Sequence, residues 1–260
     1  MATDHRPNGA LFRNEILARL SSSDLEIIRP SLHRVSLASA QVLHERNSPI
    51  ADVYFMEEGI CSLTADTSDG GHVEVGVTGR EGFVGVTAIL NPEAIAVHRA
   101  FIQVQGSGFR CVSAALRKAI EHSVTLRDQC YRYLQMVMLE SAQAAACNAR
   151  HNLPERLARW LLTVRDRVDT DTLPLTHEFL SIMLGVRRAG VTLAAQTLQA
   201  GGLIRQSRGR ITILDRDGLA AACCDCYRII QDSRDKIFAS RRQSCSISYS
   251  ECSIPNAVTK

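Results

Sequence analysis

THEFLSIMLGVRRAGVTLAAQTLQAGGLIRQSRGRITI, residues 176–213, is the stretch whose reading decides the fold. Thr176 is placed to cap a helix, and Glu178 puts a negative charge in the first turn, where the helix dipole favours it. Leu180 and Leu184 lie four apart on one face, and Ser181 between them is small enough to let a second helix approach. Gly185 stands at the turn, where a positive φ suits glycine. A second helix is expected over Val186–Gln199, with Val186, Val191, Ala194 and Leu198 as its inner stripe. Its other face carries Arg187, Arg188, Thr192 and Gln196. Gly201-Gly202 ends it. Leu203-Ile204 and Ile211-Thr212-Ile213 then read as two strands around Ser207-Arg208-Gly209-Arg210. Helix, glycine turn, helix and basic hairpin make the pattern of a winged helix-turn-helix, whose second helix enters the major groove by its N-terminal end.

Charge agrees with that placement. Residues 1–152 hold 14 Arg/Lys against 16 Asp/Glu, residues 153–210 hold 9 against 5, and residues 211–260 hold 7 against 6. The positive excess therefore sits in the segment that would meet phosphates. A chain of 260 residues with 45% hydrophobic content has room for two modest domains and a connecting helix. No apolar run approaches the ~18 residues of a membrane span, and MATDHRPNGALFRNEI has no apolar signal core. A cytoplasmic protein without a membrane partner is expected.

Ahead of the opening stretch, residues 1–10 read as a loose tail, Leu11–Leu20 as a short amphipathic helix, and Leu25–Pro30 as a second helix capped from Ser21–Asp24. Between Leu32 and Val112 the apolar residues fall into short β-type runs: 34–37, 53–56, 60–64, 72–77 and 100–104. Turn material separates them, including Glu58-Gly59 and Ser68-Asp69-Gly70-Gly71. About eight antiparallel strands, a roll or barrel able to enclose a small ligand, are expected. Ser113–His122 reads as a helix, and Val124–Arg150 as a long one. A near-heptad seam through Cys130, Leu134, Val137, Ser141, Ala144, Ala145 and Asn148 suggests pairing with a second copy. Glu155–Val168 is amphipathic, with Leu157, Trp160, Leu161 and Val164 inward, and Asp169–Thr172 is a loop. Asp215 caps a final helix running to about Ala239, and the last 20 residues are polar and aperiodic. The expected fold class is α+β, with an N-terminal antiparallel β-roll (jelly-roll-like), a long dimerisation helix and a C-terminal winged helix-turn-helix. The divisions are 1–123 for the roll, 124–151 for the dimerisation helix, 152–240 for the DNA-binding domain and 241–260 for the tail.

Of the nine cysteines only Cys223-Cys224-Asp225-Cys226 form a cluster, and that segment reads as part of a helix, where neighbouring side chains diverge. Reduced thiols packed as small hydrophobes, with no metal site and no cofactor, are expected.

In this order of parts the chain resembles the Crp/Fnr family of bacterial transcription regulators, over about residues 15–240. The resemblance is most specific at Thr176–Ile213, and is supported by Gly59 after Tyr54-Phe55-Met56 and by Gly82-Phe83-Val84-Gly85 before Ile89-Leu90. It implies a homodimer on double-stranded DNA, with RNA polymerase as a further partner and no catalytic residues. Arg188 matches the family's base-reading arginine, bidentate to guanine O6 and N7. Arg187 suits a phosphate or second base. Ala189 and Leu193 occupy the next two base-contact positions. Thr176, His177, Gln196, Arg208 and Arg210 are placed for backbone contacts. In the family's cyclic-nucleotide pocket a glutamate follows the glycine matched by Gly85, but here Val86 stands there. His98 and Arg99 align with the phosphate-binding pair. These four mark the effector pocket, and a cyclic nucleotide is not its expected ligand. Residues 1–60 contain no cysteine, which excludes the iron–sulfur branch. The rival reading is a small-molecule sensor whose C-terminal domain contacts a protein.

Overall fold

The computed structural model describes residues 12–68 and 70–239. The expected tails, Leu11, Cys245 and Cys252 lie outside the described residues. The N-terminal half begins with α1 (Glu15–Ala18) and α2 (Ser22–Ile28). The caps explain their starts. Asn14 Oδ1 accepts the Leu17 N–H and Ser21 Oγ accepts the Asp24 N–H. The first helix is shorter than the sequence suggests because Asn14 is drawn into the roll. Its amide donates to the Met56 and Gly82 carbonyls at 2.9 and 2.8 Å, which fixes the chain before Glu15 in an extended form.

The roll follows as β1 (His33–Leu37), β2 (Val42–His44), β3 (Asp52–Asp66), β4 (His72–Thr78), β5 (Phe83–Val84) and β6 (Arg99–Val112). These six strands form one antiparallel sheet in the order β1-β6-β3-β4, with β2 added to β6 and β5 to β3. The sheet has six strands rather than eight, and the apolar runs 53–56 and 60–64 belong to one long strand, β3. Glu58-Gly59 is a bulge inside β3 rather than a turn. Gly59 sits at φ 82°, and β3 pairs with β6 on both sides of it, from Asp52↔Val112 to Thr64↔Arg99.

Next come α3 (Ser113–His122) and α4 (Val124–Arg150), the latter capped by the Ser123 hydroxyl. The buried face of α4 carries Leu126, Gln129, Cys130, Tyr133, Met136 and Cys147. Cys130 therefore belongs to the roll core and not to an outward seam. The exposed apolar residues lie elsewhere on the helix. Val124 (68% exposed), Tyr131 (49%) and Met138 (67%) are seven apart, with Ala145 next in the series.

The C-terminal half contains α5 (Leu153–Val168), β7 (Thr172–Leu173), α6 (His177–Leu184), α7 (Arg188–Ala200), β8 (Ile204–Ser207), β9 (Arg210–Ile213), α8 (Arg216–Ala222) and α9 (Cys226–Ala239). Asn152 and Glu155 form a reciprocal capping box at the start of α5. The segment read as a loop supplies β7, which completes a small sheet in the order β7-β9-β8. The single expected last helix is two. Cys223 is extended (ψ 155°), so the cysteine-rich segment is a break between α8 and α9, not helix. Among the described residues no helix is long and apolar enough to cross a membrane.

One core runs through both halves. Leu157, Trp160, Leu161 and Val164 of α5 pack with α6, α7 and the small sheet, and the same cluster takes in Ile60 of β3. Trp160 is thus more than a local anchor, since its indole N–H donates to Glu74 Oε1 on β4 at 2.7 Å. Nearby, Arg167 of α5 is 7% exposed and meets Glu81 at 2.7 Å and Glu140 of α4 at 3.1 Å.

Burial raises the Glu74 carboxyl to about 7, against the Trp160 and Ser62 hydrogen bonds and the Arg167 charge. An unfolded glutamate releases its proton near 4.5. Between those two values the folded chain holds more protons, so stability falls as pH rises through that window and is flat above it with respect to this group. Glu74→Gln keeps an oxygen for Trp160 and removes the charge. We expect its melting temperature to exceed wild type by roughly 3–8 °C at pH 8 and to match it near pH 4.5. Equal melting curves at both pH values would show that Glu74 is not held in this way.

Candidate nucleic-acid interface

Backbone hydrogen bonding fixes the turn between α6 and α7. Thr176 Oγ1 accepts the Phe179 N–H at 3.1 Å and starts α6. Gly185 ends it in the left-handed region (φ 62°, ψ 42°), with its N–H on the Ile182 carbonyl and the Val186 N–H on the Ser181 carbonyl. This is the paired closure of a Schellman motif. Because Val186 is committed to closing α6, α7 cannot begin there. It begins at Arg188, with Arg187 as an extended N-cap, two residues later than the expected Val186–Gln199 helix.

The inner face of α7 is Val191, Ala194, Ala195 and Leu198, all buried. Gly190 also faces inward. A Cβ there would lie 3.1 Å from Leu153 Cδ2, so this glycine serves close packing of α7 on α5. The outer face presents Arg187, Arg188, Ala189, Leu193 and Gln196, all exposed. Arg208 and Arg210 are exposed at the tip of the β8–β9 hairpin, and Arg205 is exposed on β8. Among the described residues none of these five arginines has a carboxylate partner, whereas Arg13, Arg46, Arg80, Arg99, Arg110 and Arg165 each do. Unpaired guanidinium groups gathered on one helix start and one hairpin suit phosphates and guanine edges. Arg205 was not singled out in the sequence, where it looks like any polar strand residue.

His177 and Thr192 have a different place. His177 Nδ1 lies 2.9 Å from Thr192 Oγ1, and Nε2 lies 2.7 Å from Gln206 Oε1. Thr192 Oγ1 also donates to the Arg188 carbonyl at 3.1 Å. The half-buried imidazole therefore joins the start of α6 to α7 and β8, and holds α7 against the β8–β9 hairpin.

The four expected pocket residues lie between the end of β5 and the start of β6. Gly85 (φ 91°) abuts His44, Ile50 and Val53, leaving no room for a side chain. Arg99 is exposed, pairs with Glu45 at 3.4 Å and lies over the Phe101 ring. Val86 opens a short 3-10 turn, and His98 is half-buried. Elsewhere, cysteines expected to diverge along one helix come together with a histidine. Cys147, His151, Cys224 and Cys226 bring one ligand atom each within 4.8 Å of one another.

Residues 155–222 match the Crp-like helix-turn-helix domain family. The chain carries a Crp-like helix-turn-helix domain on the Crp/Fnr fold. FixK2 of Bradyrhizobium japonicum superposes with a TM-score of 0.64 at 17% identity, over 74% of this chain and 98% of that one. A putative transcriptional regulator of the Crp/Fnr family from Eubacterium rectale gives 0.62 at 18%, over 78% and 94%. A Crp/Fnr-family regulator from Thermus thermophilus gives 0.61 at 21%, over 73% and 97%. No curated protein matches the sequence.

Replacing the imidazole tests its placement within the Crp-like domain. His177→Ala is expected to lower unfolding stability by about 1–2 kcal/mol, through loss of two part-buried hydrogen bonds. Chemical denaturation checks this, and a stability equal to wild type would remove His177 from the clamp.

Proposed function

We propose that the protein is a sequence-specific transcription regulator that binds double-stranded DNA as a homodimer. The observation that carries this reading is the set of unpaired arginines at the start of α7 and on the adjacent wing, within a segment that matches the Crp-like domain. Arg188 reads a guanine, Arg187 takes a phosphate or second base, and Arg205, Arg208 and Arg210 follow the backbone. Exposed Leu193 and Ala189 offer apolar contact to thymine methyl groups in place of hydrogen bonds. Thr176 and Gln196 lie at the edges of this face, and His177 and Thr192 support it from beneath. The roll is the input domain, and its signal is not a cyclic nucleotide. Val86 cannot accept the ribose hydroxyls, and Arg99 is already paired with Glu45.

The operator comes first, from selection of bound fragments of the native genome. On that operator Arg188→Ala is expected to cost about 1–3 kcal/mol, roughly a 5- to 150-fold loss, and to relax preference at one base pair per half-site. Wild-type affinity should fall steeply with salt. Absence of duplex binding at low salt would favour the rival reading, a sensor whose C-terminal domain contacts a protein.

The second copy is proposed to meet the first along Val124, Tyr131, Met138 and Ala145 of α4. Their seven-residue spacing on a solvent-facing stripe supports this, and two recognition helices then address half-sites about one helical turn apart. Met138→Glu is expected to yield monomers in analytical ultracentrifugation with an unchanged circular dichroism spectrum. A dimer of wild-type stability in that variant would place the contact elsewhere.

A further inference from the structure

The break between α8 and α9 puts three cysteines and a histidine from distant parts of the chain around one point. Cys147 and His151 are one turn apart at the C-terminal end of α4, and Cys224 and Cys226 flank Asp225 in the break. Cys147 Sγ lies 3.5 Å from Cys224 Sγ, and Cys226 Sγ lies 3.5 Å from His151 Nδ1. With metal–sulfur bonds of about 2.3 Å and metal–nitrogen bonds of about 2.0 Å, tetrahedral ligands stand about 3.8 Å (sulfur to sulfur) and about 3.5 Å (sulfur to nitrogen) apart. The two contacts are close to those edges, and all four ligand atoms fall within 4.8 Å of one another.

Two further observations concern what surrounds the cluster. Gln143, one turn before Cys147, donates its amide to Cys226 Sγ at 3.1 Å, the type of outer hydrogen bond that orients a ligating sulfur. Arg156 and Arg159 of α5 each act electrostatically on Cys147, and the Nε of each is buried without a hydrogen-bond partner among the described residues. Three thiolates and a neutral imidazole around a divalent cation leave one net negative charge, which this pair of guanidinium groups would balance. Cys223 is the odd cysteine. Its thiol turns to the Cys224 carbonyl at 3.3 Å and is not in the ligand set.

We propose that Cys147, His151, Cys224 and Cys226 bind one tetrahedral, thiophilic divalent cation of the zinc type. Four protein ligands among the described residues are the count of a closed, structural site. Binding releases the thiol protons, and no electron transfer is involved. The cation ties the end of α4 to the α8–α9 break, and so fixes the Crp-like domain to the long helix. This inference does not depend on DNA binding.

The test uses the full chain, reduced and stripped of metal, titrated with cobalt(II). Wild type is expected to take up about one equivalent, with thiolate-to-cobalt charge transfer and the intense visible bands of a tetrahedral site. Zinc should then displace it and be retained at about one per chain in elemental analysis. Cys224→Ser and His151→Ala should each weaken uptake by roughly 10-fold or more, while Cys223→Ser binds as wild type does. Reduced wild type that takes up no cobalt would overturn the proposal, whether its thiols stay free or later join Cys147 to Cys224 as a disulfide. Uptake lost in Cys223→Ser but kept in Cys224→Ser would also overturn it. So would acid-labile sulfide in the isolated protein.

Discussion

A guanidinium group buried almost completely cannot stand alone, and Arg167 is the point at which this chain meets that constraint. Its side chain is 6% exposed and reaches Glu81 from the loop after β4, Glu140 from the middle of α4 and the Thr163 carbonyl of its own helix. Three elements far apart in sequence are thereby held to one position. The two carboxylates do not behave alike. Burial pushes both upward, but at Glu81 the Arg167 charge and the Gly79 N–H outweigh it and hold the group below its ordinary value. At Glu140 burial prevails and the group is raised. The network therefore has one firm ion pair and one softer partner. Breaking such a pair by removing one member strands the other charge, at about 3–5 kcal/mol, whereas an apolar replacement of the whole set can be neutral. The network accordingly specifies where α5 lies more than it adds to stability.

From that fixed point the position of the recognition helix follows. Arg167 ends α5, Trp160 ties the middle of the same helix to Glu74, and Gly190 lets α7 close on its first residue, Leu153. The helix-turn-helix is therefore carried on α5, and α5 is held by polar contacts on β4 and the loop after it. The turn itself rests on the roll, since a Cβ on Gly185 would lie 3.3 Å from Val73 of β4. β4 thus meets the DNA-binding half at Val73 and Glu74, on adjacent residues facing opposite sides of the strand. A displacement of β4 would act on the turn and on α5 together, which gives the roll a physical route to the arginines at the start of α7.

Much of this was legible in the sequence wherever a local rule decides the outcome. The caps expected at Ser21, Thr176 and Asp215 each take the backbone N–H that their positions imply. Gly185 ends α6 as a turn glycine should. What was not legible depended on distant partners. Glu58-Gly59 has the composition of a turn, and only pairing with β6 makes it a bulge. His177 has the composition of a phosphate contact, and only Thr192 and Gln206 make it a clamp. The segment Ala222–Cys226 contains no glycine or proline, so nothing local announces the break that separates α8 from α9. Without the break, the cysteines stand on successive helical positions and diverge. With it, two of them converge on residues more than seventy positions earlier.

The long helix shows the same limit from another side. α4 has two apolar faces, and periodicity alone does not say which is inside. Of the seam, Cys130 and Val137 lie against the roll while Ser141, Ala145 and Asn148 are exposed, and the stripe through Val124, Tyr131 and Met138 is left to solvent. Near the C-terminal end, Ala145 is exposed and Cys147 is buried. Residues two apart in an α-helix point about 200° apart, so the solvent stripe and the cysteine cluster occupy opposite sides. A second copy on the stripe and a cation among the cysteines would therefore not compete. Each would restrain the same helix from its own side, and the Crp-like match at residue 155 begins five residues after that helix ends at Arg150.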